Sequence, residues 1–560
     1  MRRYDVAEKW MKKVSKPEYR VKAEKDIFIT ARDGVRLAAD IYRPDAEGKF
    51  PALFSVSPYG KDVQKFKSPR GPLSPVRGNG GQEAGDTEYF VSRGYVHVIA
   101  DSRGSGNSEG EYPFYGLQEH QDGYDVIEWI AAQPWCNGNI GMLGMSYFGI
   151  IQFLIASQNP PHLKAIFPYE ASTDRYRHQF YHGGIMNMFY MQWWGHVAVG
   201  AGLPRSLRES PDEMKKVVKE LMQIEEVQIY VPLYDALKYP EKNPPLFEGL
   251  SHPLDGPYHW EVSPYTKFDK IKIPAYMVCR WSGWPIHLPG AFDAFNGLDV
   301  PKKLMINETE YPSGPARPWI DDHDVILRWY DHWLKGIDTG IMDEPPIKLF
   351  IKGKNEWRYE HEWPLARTRW TKLYLRKDGL LSEDLPGQDE GADDFVNKPY
   401  PLPRDSIPAI KYRTSPLKKD TEVTGPMAFY LSATLDREDA TWMVSINDVA
   451  PDGSSRLVTK GWLRASHRAL DEKRSKLYQP YHPHTESIPV EPGRIYEYAI
   501  EIRETSNLFR AGHTIELVVR AQDAPSEDPI WFHLCNLKET EHTVYHTAEH
   551  ASYLLLPVIP

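Results

Sequence analysis

The residues best placed for chemistry are Gly144-Met145-Ser146-Tyr147-Phe148-Gly149, which lie between a strand-like segment and the apolar helical run 147–156. A serine on a sharp strand-to-helix turn projects its hydroxyl above a sheet, and small neighbours let the turn form. The backbone N–H after the serine, that of Tyr147, then points at a developing oxyanion. The usual spacing is G-x-S-x-G; here the second glycine comes one residue later. The plain alternative is an ordinary glycine-lined turn. A serine hydroxyl is a weak nucleophile without a base, and the base needs an acid to orient it.

The elements that must position this serine alternate along the first third of the chain. Lys25–Ala31 and Val35–Tyr42 read as a hairpin around Arg32-Asp33-Gly34. Ala52–Val56, Val96–Ala100 and Lys164–Pro168 are continuous apolar runs, as in strands buried on both faces. Helical stretches lie before Gly94, over Gln118–Gln133 and from Tyr147. Such alternation predicts a mostly parallel sheet covered by helices. From 174 to 265 the chain is aromatic and reads as helical, without a clear strand. The rhythm returns with Pro274–Arg280, a helix near Pro289–Asn296, Lys303–Asn307 and a helix over Asp321–Lys335. An insertion at the carboxyl end of such a sheet sits over the ligand crevice. From about Pro346, beginning with IKLFIKG, period-two strands dominate and predict an all-β unit. The expected divisions are a core over 1–173 and 266–345, a helical cap over 174–265 and a β-sandwich over 346–560.

Composition removes several classes. The 560 residues carry 67 Lys+Arg and 77 Asp+Glu, a net charge of −10 without a long basic run, which argues against a nucleic-acid partner. No apolar run of 18 residues exists, so no membrane span is expected. The N-terminus lacks an apolar signal core, and its apolar residues fit a short packing helix. Three cysteines suit a reduced, cytoplasmic setting. No nucleotide loop, H-E-x-x-H or paired Cys/His pattern calls for a cofactor or metal. His542, His546 and His550 would share a face only on a helix, and incidental surface histidines are the simpler reading. The partner expected is a small-molecule substrate; a homo-oligomer is compatible with the sequence.

Several motifs together resemble the cocaine esterase and Xaa-Pro dipeptidyl-peptidase hydrolases. The elbow resembles that family's nucleophile turn. Asp101-Ser102-Arg103-Gly104-Ser105-Gly106-Asn107-Ser108-Glu109-Gly110 is similar to its D-x-R-G-x-G-x-S-x-G loop, read here as scaffold through Asp101 and Arg103. Ser57-Pro58-Tyr59-Gly60-Lys61 resembles the segment whose tyrosine hydroxyl completes the oxyanion hole. Trp329–Gly336, Thr424-Gly425-Pro426 and Asp448–Gly453 resemble later motifs. The resemblance spans about 20–560 and implies an α/β-hydrolase core with an inserted helical cap and a C-terminal jelly-roll.

The resemblance also predicts an aspartate after Pro274–Arg280 and a histidine after Lys303–Asn307. Gly283 stands at the first place and Tyr311 at the second, and no histidine occurs from 307 to 322. In one reading, replacements come from elsewhere: Glu170 or Asp174 as the acid, His182 or His287 as the base. In a second, Tyr311 with Glu310 or Glu308 forms an altered proton-transfer set. In a third, the fold supports a non-hydrolytic carbonyl reaction (cyclisation, elimination or isomerisation) or only binds a carbonyl. The first reading fits a serine acyl hydrolase or acyl-transfer enzyme acting on an ester or amide. The cap residues Phe180, Tyr181, Met186, Met188, Phe189, Tyr190, Met191, Trp193 and Trp194 suggest an apolar or aromatic substrate, or simply a packed cap. A dipeptidyl peptidase would also need an acidic anchor for the substrate amine, and none is apparent.

Overall fold

Helices cover both faces of one ten-stranded sheet and bury the strands on either side of the elbow. The computed structural model describes residues 10–65, 83–188, 202–308, 322–388, 390–398, 407–524, 532–534, 536 and 538–560. The sheet contains β1 (Val21–Thr30), β2 (Arg36–Pro44), β3 (Phe50–Ser57), β4 (Val96–Asp101), β5 (Cys136–Met145) and β6 (Leu163–Tyr169). It continues with β7 (Ala275–Arg280), β8 (Lys302–Asn307), β9 (Ile347–Ile351) and β10 (Glu356–Glu360). Its spatial order is β1-β2-β4-β3-β5-β6-β7-β8-β9-β10. Strands β3 to β9 run parallel; β1, β2 and β10 form antiparallel margins.

Side-chain alternation along the strands feeds two cores. Ile166 of β6 and Leu304 and Ile306 of β8 pack with α2 (Leu117–Ala131), α3 (Tyr147–Ala156) and α4 (Leu288–Gly297). Their neighbours Phe167 and Met305 face α5 (His323–Lys335), through Ile326, Trp329 and Tyr330. The short α1 (Thr87–Val91), capped by the Asp86 side chain, packs Phe90 on that second side. Burial of such side chains contributes roughly 1.5–3 kcal/mol each.

Three expectations need correcting. The segment IKLFIKG was expected to open the β unit; instead Ile347–Ile351 pairs in parallel with β8 and extends the core sheet. The start of the insertion was expected to be helical throughout. A five-residue π-helical turn, Tyr176–Phe180, gives way to a two-residue hairpin, Tyr181–His182 with Ile185–Met186, because Gly183 and Gly184 adopt positive φ. Helices follow from Arg205–Glu209 to Pro257–Glu261. His542 lies on the strand Thr540–Tyr545, so the three late histidines do not share a helix face; His542 and His546 are buried, not superficial.

The C-terminal unit is an eleven-stranded sheet with its own core around Phe429, Trp442, Tyr412 and Leu517. Its last strand, Tyr553–Ile559, pairs with both Arg369–Arg376 and Thr421–Leu435. This double pairing folds the sheet back on itself and covers an edge that would otherwise be open. The unit also grips the insertion: Arg503 Nη2 donates to the Arg177 carbonyl, and Arg177 donates to the His482 carbonyl.

Candidate active site

Strand β5 ends at Met145 and α3 begins at Tyr147, leaving Ser146 alone in the turn. Its φ of 57° and ψ of −113° are unfavourable for a residue with a side chain, a strain concentrated at functional turns. The conformation is held on both sides. Ser146 N–H donates to the Tyr169 carbonyl at 2.9 Å, and the Ser146 carbonyl accepts from Gly149 and Ile150 at 2.9 and 2.8 Å. A β-carbon at Gly149 would lie 2.7 Å from the Tyr169 carbonyl oxygen. The second glycine of the motif is displaced by one because that is where α3 passes β6.

The hydroxyl of Ser146 lies 3.2 Å from Nε2 of His287. His287 caps the start of α4, following the tight turn Trp281–Gly283, and its backbone N–H bonds the Gly283 carbonyl at 2.9 Å. Its other nitrogen, Nδ1, faces Glu170 Oε2 at 3.9 Å. Glu170 is the first residue after β6, is buried, and accepts from Arg280 Nε at the end of β7. Ser146, Glu170 and His287 thus lie beyond the carboxyl ends of three neighbouring strands, β5, β6 and β7. Burial pushes the His287 imidazole down to about 4; the Glu170 charge opposes this and Arg280 reinforces it. At neutral pH the ring is therefore uncharged and able to accept a proton.

On the other flank, the Tyr59 ring meets Tyr147 edge-to-face at 5.6 Å and Phe148 at 6.3 Å. Tyr59 thus sits against the first turn of α3. Asp101 fixes this side by accepting the N–H groups of Lys61 and Asn107, at 2.7 and 3.0 Å. Arg103 joins Asp33 to Asp122. Both act as scaffold for the loops around the elbow.

The remaining candidates are placed elsewhere. His182 does not serve Ser146: its Nδ1 lies 2.8 Å from His533 Nε2 and its Nε2 lies 3.1 Å from the His178 carbonyl. The hairpin that replaces the expected helix turns it toward the β unit. Asp174 is paired with Arg177. Tyr311 and Glu310 lie outside the described residues, as do Phe189, Tyr190, Met191, Trp193 and Trp194. Glu308 bonds Ser282, faces Lys352 and is pushed up by burial. Among the described residues no three His, Cys, Asp or Glu side chains group to hold a metal ion.

Two features were not anticipated. Arg280 carried no signal in sequence beyond ending a strand; in the structure its guanidinium reaches Glu170, which follows the neighbouring strand β6. Trp284, three residues before His287, stacks on Trp462 of the β unit at 5.7 Å, and Trp462 also lies 4.8 Å from the His182 ring. The β unit therefore places an aromatic ring against Trp284, a juxtaposition with no local signal in sequence. Gly283 has a structural reason: a β-carbon there would lie 2.9 Å from Cys279 Sγ. An aspartate could not be placed there without moving that buried thiol.

Residues 33–310 match the X-Pro dipeptidyl-peptidase (S15 family) description, and 339–555 match the X-Pro dipeptidyl-peptidase C-terminal non-catalytic domain. The chain is 27% identical to the cocaine esterase of Rhodococcus sp. over 602 residues, covering 95% of this chain and 98% of that protein. A CocE/NonD family hydrolase from Staphylococcus aureus superposes with a TM-score of 0.78 at 26% identity, covering 96% and 93% of the two chains. An α-amino acid ester hydrolase shares the fold, with a TM-score of 0.75 at 19% identity over 96% of each chain.

Proposed function

The chain belongs to the CocE/NonD-type α/β-hydrolase family, related to cocaine esterase and the X-Pro dipeptidyl-peptidases, and we propose that it works through a rearranged triad of Ser146, His287 and Glu170. Family membership supplies the serine hydrolase class. The observation that carries the finer reading is the 3.2 Å approach of His287 Nε2 to the Ser146 hydroxyl, with Glu170 behind the ring.

In this reading His287 takes the hydroxyl proton as Ser146 Oγ bonds to the substrate carbonyl carbon. The Tyr147 N–H and the Tyr59 hydroxyl receive the negative oxygen. The tetrahedral species then collapses: the bond to the leaving alkoxide or amine breaks, and His287 returns the proton to it. Water attacks the acyl-enzyme with the same proton traffic and frees the acid. Glu170 supports the imidazolium that forms in each step. Its second oxygen is occupied by Arg280, so the carboxylate has a fixed orientation toward the ring. A 3.9 Å separation is long for a hydrogen bond, and such contacts shorten when substrate closes the site.

The substrate class proposed is a carboxylic ester or amide of a small molecule with an apolar or aromatic part. Trp284 and Trp462 beside the base, and the aromatic insertion, support an apolar rather than a charged acyl or alcohol group. The test is a fluorophosphonate probe followed by mapping of the adduct by mass spectrometry. The expected product is a single adduct on Ser146. Folded protein that remains unlabelled at Ser146 would contradict the assignment.

A further inference from the structure

Behind the nucleophile turn lies a buried carboxylate that, among the described residues, forms no ion pair. Glu119, in the first turn of α2, is 2% exposed. Its two oxygens accept from Ser102 Oγ at 2.6 Å, the Tyr115 N–H at 3.0 Å, and the Tyr147 hydroxyl at 2.9 and 2.7 Å. The Tyr112 hydroxyl donates to the Tyr147 hydroxyl at 2.7 Å, and the Tyr115 ring stacks on Tyr147 at 3.9 Å. Tyr147 is therefore clamped at its far end, while its backbone N–H opens α3 beside Ser146. The same ring supports Tyr59 edge-on.

We propose that Glu119 is a positioning residue for the oxyanion hole, holding the Tyr147 side chain and through it both the Tyr147 N–H and the Tyr59 ring. The inference rests on the triad reading and adds a residue to it. A buried carboxylate costs several kcal/mol of desolvation unless its hydrogen bonds are complete. An apolar side chain could fill the space, but it would leave three donors unpaired. What the acid supplies is direction: one oxygen pair fixes a hydroxyl on α3 and two groups of the loop 102–115 at once. An oxyanion donor acts on the transition state more than on the bound substrate, so its misplacement lowers kcat rather than raising KM.

Burial pushes the Glu119 carboxyl up to about 7. The groups facing it are Ser102, Tyr112 and Tyr115 from the loop, Tyr147 from α3, and Asp122 on its own helix, itself paired with Arg103. The anion accepts from all its donors; once protonated, one oxygen becomes a donor and the grip loosens. The kcat of the wild type should fall by about tenfold as pH drops through ~7, to a lower plateau.

The experiment uses Glu119→Gln, Tyr147→Phe and Ser146→Ala in the full chain, assayed on p-nitrophenyl acetate across pH 5–9. Glutamine must turn its NH2 toward one of the donors, and phenylalanine removes only the hydroxyl that Glu119 holds. Expected are an about tenfold lower kcat above pH 8 with KM within twofold, no step near pH 7 in Glu119→Gln, and Ser146 still labelled by fluorophosphonate. Removing an oxyanion donor outright costs about 10²–10³, so a misplaced one should cost less. A wild-type kcat in both variants, or a loss confined to KM, overturns the proposal. If Ser146→Ala retains turnover, the triad reading fails instead, which separates the two.

Discussion

His287 and His182 both sit in buried histidine–acid arrangements, both are pushed toward the neutral form, and only His287 faces the Ser146 hydroxyl. Around His287, one nitrogen meets a serine in a strained turn and the other meets an acid whose spare oxygen is tied to Arg280. Around His182, both nitrogens end on protein: His533 on one side, itself bonded to Asp523 at 2.9 Å, and the His178 carbonyl on the other. The second arrangement joins the insertion to the β unit and leaves no valence for a substrate. A lowered proton affinity marks burial at both places, so it does not distinguish the two rings. What differs is the partner: a nitrogen of His287 faces the Ser146 hydroxyl, and it is on this that the proposed assignment rests.

The contrast can be broken most severely at Ser146. Ser146→Ala is expected to lower kcat/KM on an activated ester by about 10⁴-fold or more, and His287→Ala by a similar factor, measured by steady-state kinetics. The two losses should not add in the double variant. Next, Glu170→Gln should cost about 10²-fold in kcat, since it removes the charge that supports the imidazolium but leaves the base in place. An unchanged kcat in folded Glu170→Gln would remove the acid from the account.

Arg280 offers a smaller and more diagnostic change. As the proposed base, His287 would have to be neutral, and burial pushes it down to about 4, so the final loss of kcat/KM on acidification should lie near pH 4 rather than near ~6.5. Arg280 is one of the charges holding it down. Arg280→Gln should move this inflection upward, as read from a pH–rate profile, while an unmoved inflection would show that the guanidinium does not act on the ring. The smallest catalytic effect is expected at the junction. His182→Phe should leave kcat/KM within about threefold yet lower stability by about 1–3 kcal/mol, read from denaturant unfolding, because His533 loses a buried partner.

The sheet, the elbow and the insertion point were legible because each is local: apolar runs, glycine spacing, a break in rhythm. For the base and acid several candidates stayed open: His182 or His287 with Glu170 or Asp174, and Tyr311 with Glu310 or Glu308 as a second set. Nothing in the sequence around His182 or His287 tells which ring the insertion turns outward, since that depends on a two-residue hairpin set by Gly183 and Gly184. Glu170 could be named because it follows a buried strand, but Arg280 became visible only when β6 and β7 proved to be neighbours. Glu119 carries a sequence signal of its own. It shares a helix face with Gly123, Val126, Ile127 and Ile130, all buried, and an acid on such a face is a question in itself. Trp462 lies far along the chain from Trp284, so only tertiary packing joins them.

The most direct measurement of the central claim is the rate of fluorophosphonate attachment to Ser146 in His287→Ala and in His182→Ala, compared with the wild type in folded protein. The rate is expected to fall by at least about 10²-fold in His287→Ala and to stay near wild type in His182→Ala. Wild-type labelling without His287, or labelling abolished by loss of His182, would contradict it.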